Sequence, residues 1–420
     1  MRNAARFGLI LTALGSAGAS KAQVRIDYSA LLTPEPAVTF SSFDKPPLSV
    51  VPFSSAPGTN ELARLYGRID LVPSFELYNG LFGVQVGLYS NEDVPHQGRG
   101  VVPFDDYNSN LTRIKPETPF NFDALALFYA NPYGRFEIGY GAGVSERTAV
   151  TAPSNYGAGS IAGDYPYFLS KPHDVGFNTI SAYGSANTSP RVLYMSPRYY
   201  GLQAGITYQP DTRDTGFDYT YGSTGLGILG RQPTATGTFE GLSAGFINVV
   251  EGGLNFDENF GGFRIKASLA AIRGDPVPSP TGTEFSRLAS HQVGLQVGYG
   301  DWSGGAGFVD AGTSGYTKSA TVHKRKEQYA LEAGIQYAPR QWRFGAAGLY
   351  SSDEADPTER SNRQMLGILT GLRYLVTRDF DLGLEFDHIK TESPDFGDYT
   401  NDVAILQLRY SFAGWYSPSR

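Results

Sequence analysis

The 420-residue sequence contains no cysteine, which excludes a disulfide framework, thiolate catalysis and cysteine-ligated zinc or iron–sulfur sites. It also has no basic excess, since 34 Lys and Arg stand against 41 Asp and Glu, so nucleic acid is not an expected partner. Charged residues make up only 18%, below the roughly 25% of an ordinary soluble domain. Beyond the first twenty residues, no apolar run approaches the ~18 residues of a membrane helix.

Glycine, tyrosine and phenylalanine are abundant instead, with 51, 27 and 26 copies. Apolar and polar residues alternate in many segments, among them 263–269, 293–299, 329–337, 380–387 and 404–412. A period of two residues predicts strands that have one apolar and one wet face. A soluble β-sandwich would show the same alternation, so this pattern alone does not identify the fold.

Loop length separates a sandwich from a barrel. Short turns such as Tyr78 to Gly80 and Gly300-Asp301 alternate along the chain with long polar stretches such as 91–119 and 211–238. Transmembrane barrels have this asymmetry, because short turns lie in the periplasm and long loops lie outside the cell. We therefore predict an all-β transmembrane antiparallel β-barrel. We identify fifteen strand segments over 62–412, among them 135–144, 288–299 and 302–310. Such barrels have an even strand number, so we predict one further strand before them and sixteen in all.

The N-terminus has the features of an export signal. Arg2 and Arg6 precede a short apolar stretch, and Ser20-Lys21-Ala22 fits a cleavage site before Gln23. Removal of residues 1–22 takes away three bases and no acids, so the mature chain would carry 31 − 41 = −10. We predict an N-terminal segment over 23–61 with a provisional first strand and a proline-rich loop, a barrel over 62–412, and a C-terminal tail over 413–420. The first strand is placed at 24–32, with 40–43 and 48–53 as rival positions.

Several segments resemble the Gram-negative general porins. They are ARLYGRIDLVPSFEL at 63–77, LFYANPYGRFEIGYG at 127–141, RVLYMSPRYYGLQAGITYQP at 191–210 and LQLRYSF at 406–412. The resemblance implies an outer-membrane homotrimer and a water-filled channel for passive diffusion of small hydrophilic solutes and ions, surrounded by lipid and lipopolysaccharide. It implies no cofactor and no metal. The protein departs from the family by continuing past Phe412 and by lacking the acidic PEFGG element of the constriction loop.

The resemblance also implies that the long loop at 145–190 folds into the barrel and narrows it. The acids of this loop would then face arginines of the wall and set charge selectivity. Our candidate constriction residues are Glu146, Asp164 and Asp174 on the loop, and Arg64, Arg68 and Arg135 on the wall. From the net charge we expect a weak preference for small cations.

Two alternatives remain open: a substrate-specific channel for sugars or anions, and a barrel with a structural or enzymatic role. The sequence shows no clear aromatic stripe or basic ladder for the first. For the second, Ser290 beside His291 is the one adjacent Ser–His pair, and the five histidines lack metal-ligand spacing. We therefore predict that the protein is not an enzyme.

Overall fold

The computed structural model describes residues 24–43, 58–94, 121–156, 190–212, 246–278, 284–314, 318, 328–353, 363–392 and 398–416. The predicted signal segment 1–22 lies outside these residues. Within the described residues, no helix is both long and apolar enough to cross a membrane.

Sixteen antiparallel strands form one closed barrel, in which every strand pairs with its neighbours in the chain and β1 pairs with β16. This confirms the predicted fold. The strands are β1 Val24–Phe43, β2 Gly58–Leu77, β3 Gly80–Val94, β4 Asn121–Asn131, β5 Gly134–Tyr140, β6 Arg191–Met195, β7 Leu202–Asp211, β8 Phe246–Phe260, β9 Phe263–Pro276, β10 Leu288–Tyr299, β11 Trp302–Asp310, β12 Gln328–Tyr337, β13 Trp342–Asp353, β14 Arg363–Leu375, β15 Phe380–Glu392 and β16 Tyr399–Tyr416.

Burial in the barrel is inverted relative to a soluble sheet. On β15 the polar residues Asp381, Glu385 and Asp387 are buried, whereas Leu384 and Phe386 between them are exposed. The buried polar residues point into the barrel, and the apolar residues form its outer surface. Charged groups can occupy the inner face because sixteen strands enclose a wet lumen, while the outer face meets hydrocarbon.

Aromatic side chains gather at the end of the barrel where the turns are short. All three tryptophans of the chain, Trp302, Trp342 and Trp415, lie there. Trp302 stacks on Tyr337 and Trp342 packs on Tyr374, with ring centroids 4.5 and 4.6 Å apart. Aromatic rings prefer the boundary between hydrocarbon and water, so this ring of aromatics marks the periplasmic edge of the apolar band.

The first strand is longer than predicted. It includes both the segment 24–32 and the rival segment 40–43, although Pro34 and Pro36 lie between them. Its ladder with β2 is continuous, but pairing with β16 stops at Leu32 and resumes at Ala37. Because the two prolines are two residues apart, both lack an N–H on the same edge, and the strand loses bonds to one neighbour only.

The last strand also extends beyond its predicted end. Residues 413–416, which we predicted to begin a tail, continue β16 and pair with Ser29 to Ile26 of β1. Arg25 of β1 lies over the Trp415 ring, 5.5 Å from its centroid. The start of β1 needs a partner on this edge, and the residues after Phe412 supply it. Residues 417–420 lie outside the described part of the chain.

Leu295 tests the orientation of the wall, because its side chain projects outward from β10 between Ala267 and Ala306 on the paired strands. We expect Leu295→Arg to lower the free energy of unfolding in lipid vesicles by about 2–4 kcal/mol, the cost of a cation in hydrocarbon. Leu295→Met, which keeps the side chain apolar, should change it little. Equal stability of the two variants in denaturant titrations would place this face in water.

Candidate functional site

The chain enters the lumen directly after β5. We predicted a strand over 135–144, but β5 ends at Tyr140 and a short helix, α1 (Val144–Thr148), follows. Gly139 and Gly141 have φ values of 140° and 153°, which side-chain-bearing residues rarely adopt. These glycines turn the chain out of the wall, so the segment 141–156 can run inside the barrel.

The backbone of this segment is held by side chains of the inner wall. Five of its N–H groups donate to wall acceptors on β7, β8, β9 and β12: Val144 to Thr207 Oγ1 (2.9 Å), Ser145 to Glu251 Oε2 (3.0 Å), Val150 to Ser268 Oγ (2.9 Å), Ala152 to Glu332 Oε1 (2.7 Å) and Asn155 to Gln336 Oε1 (3.1 Å). An irregular segment has no neighbouring strand to accept the hydrogen bonds of its N–H groups. Here side chains of the wall accept them instead.

Glycines of the wall make room for the same segment. A Cβ on Gly253 would lie 2.6 Å from Val144 Cγ1, and one on Gly294 would overlap the Val150 carbonyl oxygen. A Cβ on Gly345 would overlap the ring of Tyr156, which is 3% exposed. We call these three residues the glycine bed. Because the bed leaves no room for side chains, the position of 144–156 is set by steric fit as well as by hydrogen bonds.

Charged groups join α1 to the wall. Arg147 donates to both carboxylate oxygens of Glu137 on β5, at 2.8 Å to Oε1, and its Nε donates to the Ala142 carbonyl. Arg135 binds the same carboxylate and lies 4.0 Å from the Phe128 ring centroid. Two guanidinium groups thus share one buried carboxylate. This arrangement ties the helix to β5 and leaves a net positive charge.

A second charged group lies beside α1. Arg191, at the start of β6, is 4% exposed and interacts electrostatically with Glu251 of β8 and with Glu146 of α1. Glu251 also accepts the hydroxyl hydrogen bond of Ser145 at 2.6 Å. Both acids and bases therefore lie near the point where the segment enters the lumen.

At the far end of the segment, Tyr156 lies near acidic residues of the wall as well as apolar ones. Tyr156 packs in a cluster of buried apolar inward residues that includes Leu349, Met365 and Leu369. Burial, and then Glu385, Asp387 and Glu332, raise the pKa of its hydroxyl, which stays protonated. The end of the described segment is thus anchored by apolar packing.

The predicted site residues lie in different environments. Glu146 lies on α1 next to Arg147 in the chain, and Arg135 lies on β5 of the wall. Arg147 and Arg135 both bind Glu137, whereas Glu146 interacts with Arg191. Arg68 lies on β2 and forms two hydrogen bonds to Asp70, both of 2.8 Å. The backbone of Arg64 is part of β2, but its side chain lies outside the described residues, as do Asp164 and Asp174.

Arg147 and Glu332 are not among the predicted site residues. No periodic signal shows that Arg147 reaches back to Glu137. For Glu332 the sequence gives one signal, the alternation over 329–337, which places it on the polar face. The pair Ser290 and His291 offers no catalytic arrangement, because neighbours on a strand face opposite sides: Ser290 is buried on the inner face and His291 lies on the outer face. No group of three or more potential metal ligands occurs within the described residues.

Comparison with known proteins agrees with this architecture. A family model described as Gram-negative porin matches residues 57–394. An uncharacterized protein of Rickettsia conorii is 23% identical over 310 residues, covering 63% of this chain and 68% of that protein. The barrel is similar to OmpF of Salmonella typhi, solved in complex with daunomycin, with a TM-score of 0.58 at 12% identity, covering 92% of this chain and 97% of OmpF.

It is also similar to OmpT of Vibrio cholerae, solved in a trimer form, with a TM-score of 0.52 at 12% identity, covering 93% of this chain and 100% of OmpT. At such low identity these structures show the shared fold. The family model spans most of the chain, which confirms the resemblance found in the sequence. The protein therefore belongs to the Gram-negative porin family and is a channel of the bacterial outer membrane for passive diffusion.

Proposed function

We propose that the protein is a general diffusion channel whose lumen is narrowed at a fixed place by the segment 144–156 and that passes small hydrophilic solutes and ions. The proposal is supported by the way the wall holds this segment. Wall side chains accept the hydrogen bonds of its N–H groups, and the glycine bed gives it room to pack. A constriction held in this way has one position. Such a constriction would select solutes by size without a conformational change.

We further propose that the field between loop acids and wall bases sets charge selectivity, with Glu146, Asp164 and Asp174 on one side and Arg64, Arg68 and Arg135 on the other. The ion pair between Arg68 and Asp70 supports a wall whose charges are largely paired. A balanced lumen gives a weak preference, and the net charge of −10 on the mature chain would turn that preference toward cations.

A homotrimer is also proposed. The similar barrel of Vibrio cholerae OmpT, described as a trimer form, supports it. The outer surface at the β1–β16 seam carries a group of aromatic rings, with the Tyr28 and Phe412 centroids 6.3 Å apart and those of Tyr410 and Phe412 6.0 Å apart. This patch would pack against a second copy. The rest of the outer band would contact lipid, with lipopolysaccharide around the outer end.

Gly294→Ala tests the fixed constriction. The added methyl group would displace the segment, so we expect a higher and noisier single-channel conductance in planar bilayers. Overpacking should also lower the stability by about 1–3 kcal/mol. Gly252→Ala is the matched control, because a Cβ there meets nothing within 4 Å. Identical conductance traces for the two variants would show that the seated segment does not limit the current.

Neutralising one charge of a lumen ion pair tests selectivity. Arg68→Gln leaves Asp70 uncompensated, so the cation-to-anion permeability ratio should rise, roughly twofold for one screened charge. The double variant Arg68→Gln/Asp70→Asn keeps the net charge and should shift the ratio less. Reversal potentials in a salt gradient measure both. If neither variant moves the reversal potential, β2 does not contribute to the selective region.

The trimer can be tested by cross-linking in native membranes, where we expect a band at three times the monomer mass. Heating above the unfolding temperature before cross-linking serves as the control, because it should remove that band. A single-copy mass obtained from membranes that still contain folded barrels would contradict the trimer and leave the fold untouched.

A further inference from the structure

A cavity of about 390 Å³ lies beneath the seated segment, on its periplasmic side. The residues 149–155 form its roof. Its wall consists of inward residues of β9 to β12 that lie within a few positions of the short turns. The wall side chains are those of Arg264, Lys266, Gln296, Ser303 and Gln336.

The charge of this cavity is positive. Arg264 donates two hydrogen bonds, of 2.8 and 2.7 Å, to the carboxylate of Asp257 on β8. Lys266 lies directly across the β8–β9 ladder from the same Asp257 and forms no ion pair of its own among the described residues. Two bases therefore share one acid, and none of the residues that line the cavity is acidic.

The remaining polar groups of the wall are mainly donors. The Oε1 atom of Gln336 accepts the Asn155 N–H, so the amide NH₂ of Gln336 is left to donate. Arg264 uses Nε and one terminal nitrogen on Asp257, so its other terminal nitrogen is left. Ser303 adds a hydroxyl group. A cation and several donors converging on a wet space suit a ligand with negatively charged oxygens.

Gly298 opens the space for such a ligand. It lies between Arg264 and Ser303 in the ladders of β9, β10 and β11. Unlike the glycine bed it is not crowded, since an added Cβ would come no closer than 3.6 Å to another atom, the Trp302 carbonyl oxygen. Neither backbone conformation nor packing demands glycine here. Because Gly298 has no side chain, more of the cavity volume stays open.

We propose that this cavity is a binding subsite for small oxyanions, either carboxylates or phosphates, that have passed the constriction. The proposal rests on the proposed diffusion function and adds a place where one class of solute pauses. The cavity is large enough to hold several water molecules or one small acid. An oxyanion that binds in the cavity passes through the channel more slowly, which lowers the anion flux. The subsite is therefore compatible with a weak overall preference for cations.

The test uses the purified full-length channel in planar bilayers. Inorganic phosphate and succinate, added separately, should each lower the potassium chloride current in a saturable way. Lys266→Gln should raise the half-blocking concentration about tenfold, as expected for the loss of one close charge contact. Lys318→Gln is the matched control, because Lys318 pairs with Glu284 in an exposed ion pair away from the cavity and its loss changes the charge equally. Lys266→Arg should retain the block.

Gly298→Leu provides an independent variant. It fills the cavity without changing the charge, so it should abolish the block. Block by only one of the two anions would assign the subsite to phosphates or to carboxylates. The subsite is refuted if neither anion blocks saturably, if Lys266→Gln and Lys318→Gln behave alike, or if Gly298→Leu leaves the block intact. A wild-type protein that conducts no current at all would instead overturn the diffusion function.

Discussion

A strand surrounded by hydrocarbon can satisfy its backbone amides only by pairing along both edges, because no water is present to replace a missing partner. In this chain the requirement is met by closing the sixteen-stranded sheet at the seam between β1 and β16. It also explains where prolines are tolerated: Pro34 and Pro36 lie where the ladder to β16 is interrupted while the ladder to β2 continues. Once the barrel is closed, each side chain faces either the lumen or the exterior, and the inverted burial follows.

Because every strand must pair along both edges, much of the fold could be predicted from the sequence. Alternation identifies strands locally, and the segregation of short turns from long loops identifies a membrane barrel. Strands β10 and β11 have the bounds that the sequence predicts, because Tyr299 and Trp302 flank a two-residue turn, Gly300-Asp301, in which Gly300 adopts a φ of 55°. Fold and family were therefore within reach of a single sequence.

The inside of the barrel was much less predictable. On β14, Met365 and Leu369 face inward while Leu366 and Ile368 face outward, so both faces are apolar and the alternation disappears. The path of 144–156 depends on contacts between residues far apart in the chain, such as Ala152 with Glu332. Periodicity cannot report such contacts. The loop was predicted to enter the lumen through family resemblance, whereas its partners had to be found in the structure.

The seam between β1 and β16 joins the two ends of the chain. Ile26 pairs with Tyr416, and the register continues to Phe43 and Tyr399. This is the pairing of greatest sequence separation in the barrel, so its closure carries the largest loop entropy and the slowest kinetics. Until it forms, β1 and β16 are both open edges, and an edge in hydrocarbon leaves a row of amides unsatisfied. A chain that stops before β16 therefore loses the partner of both β1 and β15. Its sheet keeps two open edges and does not close.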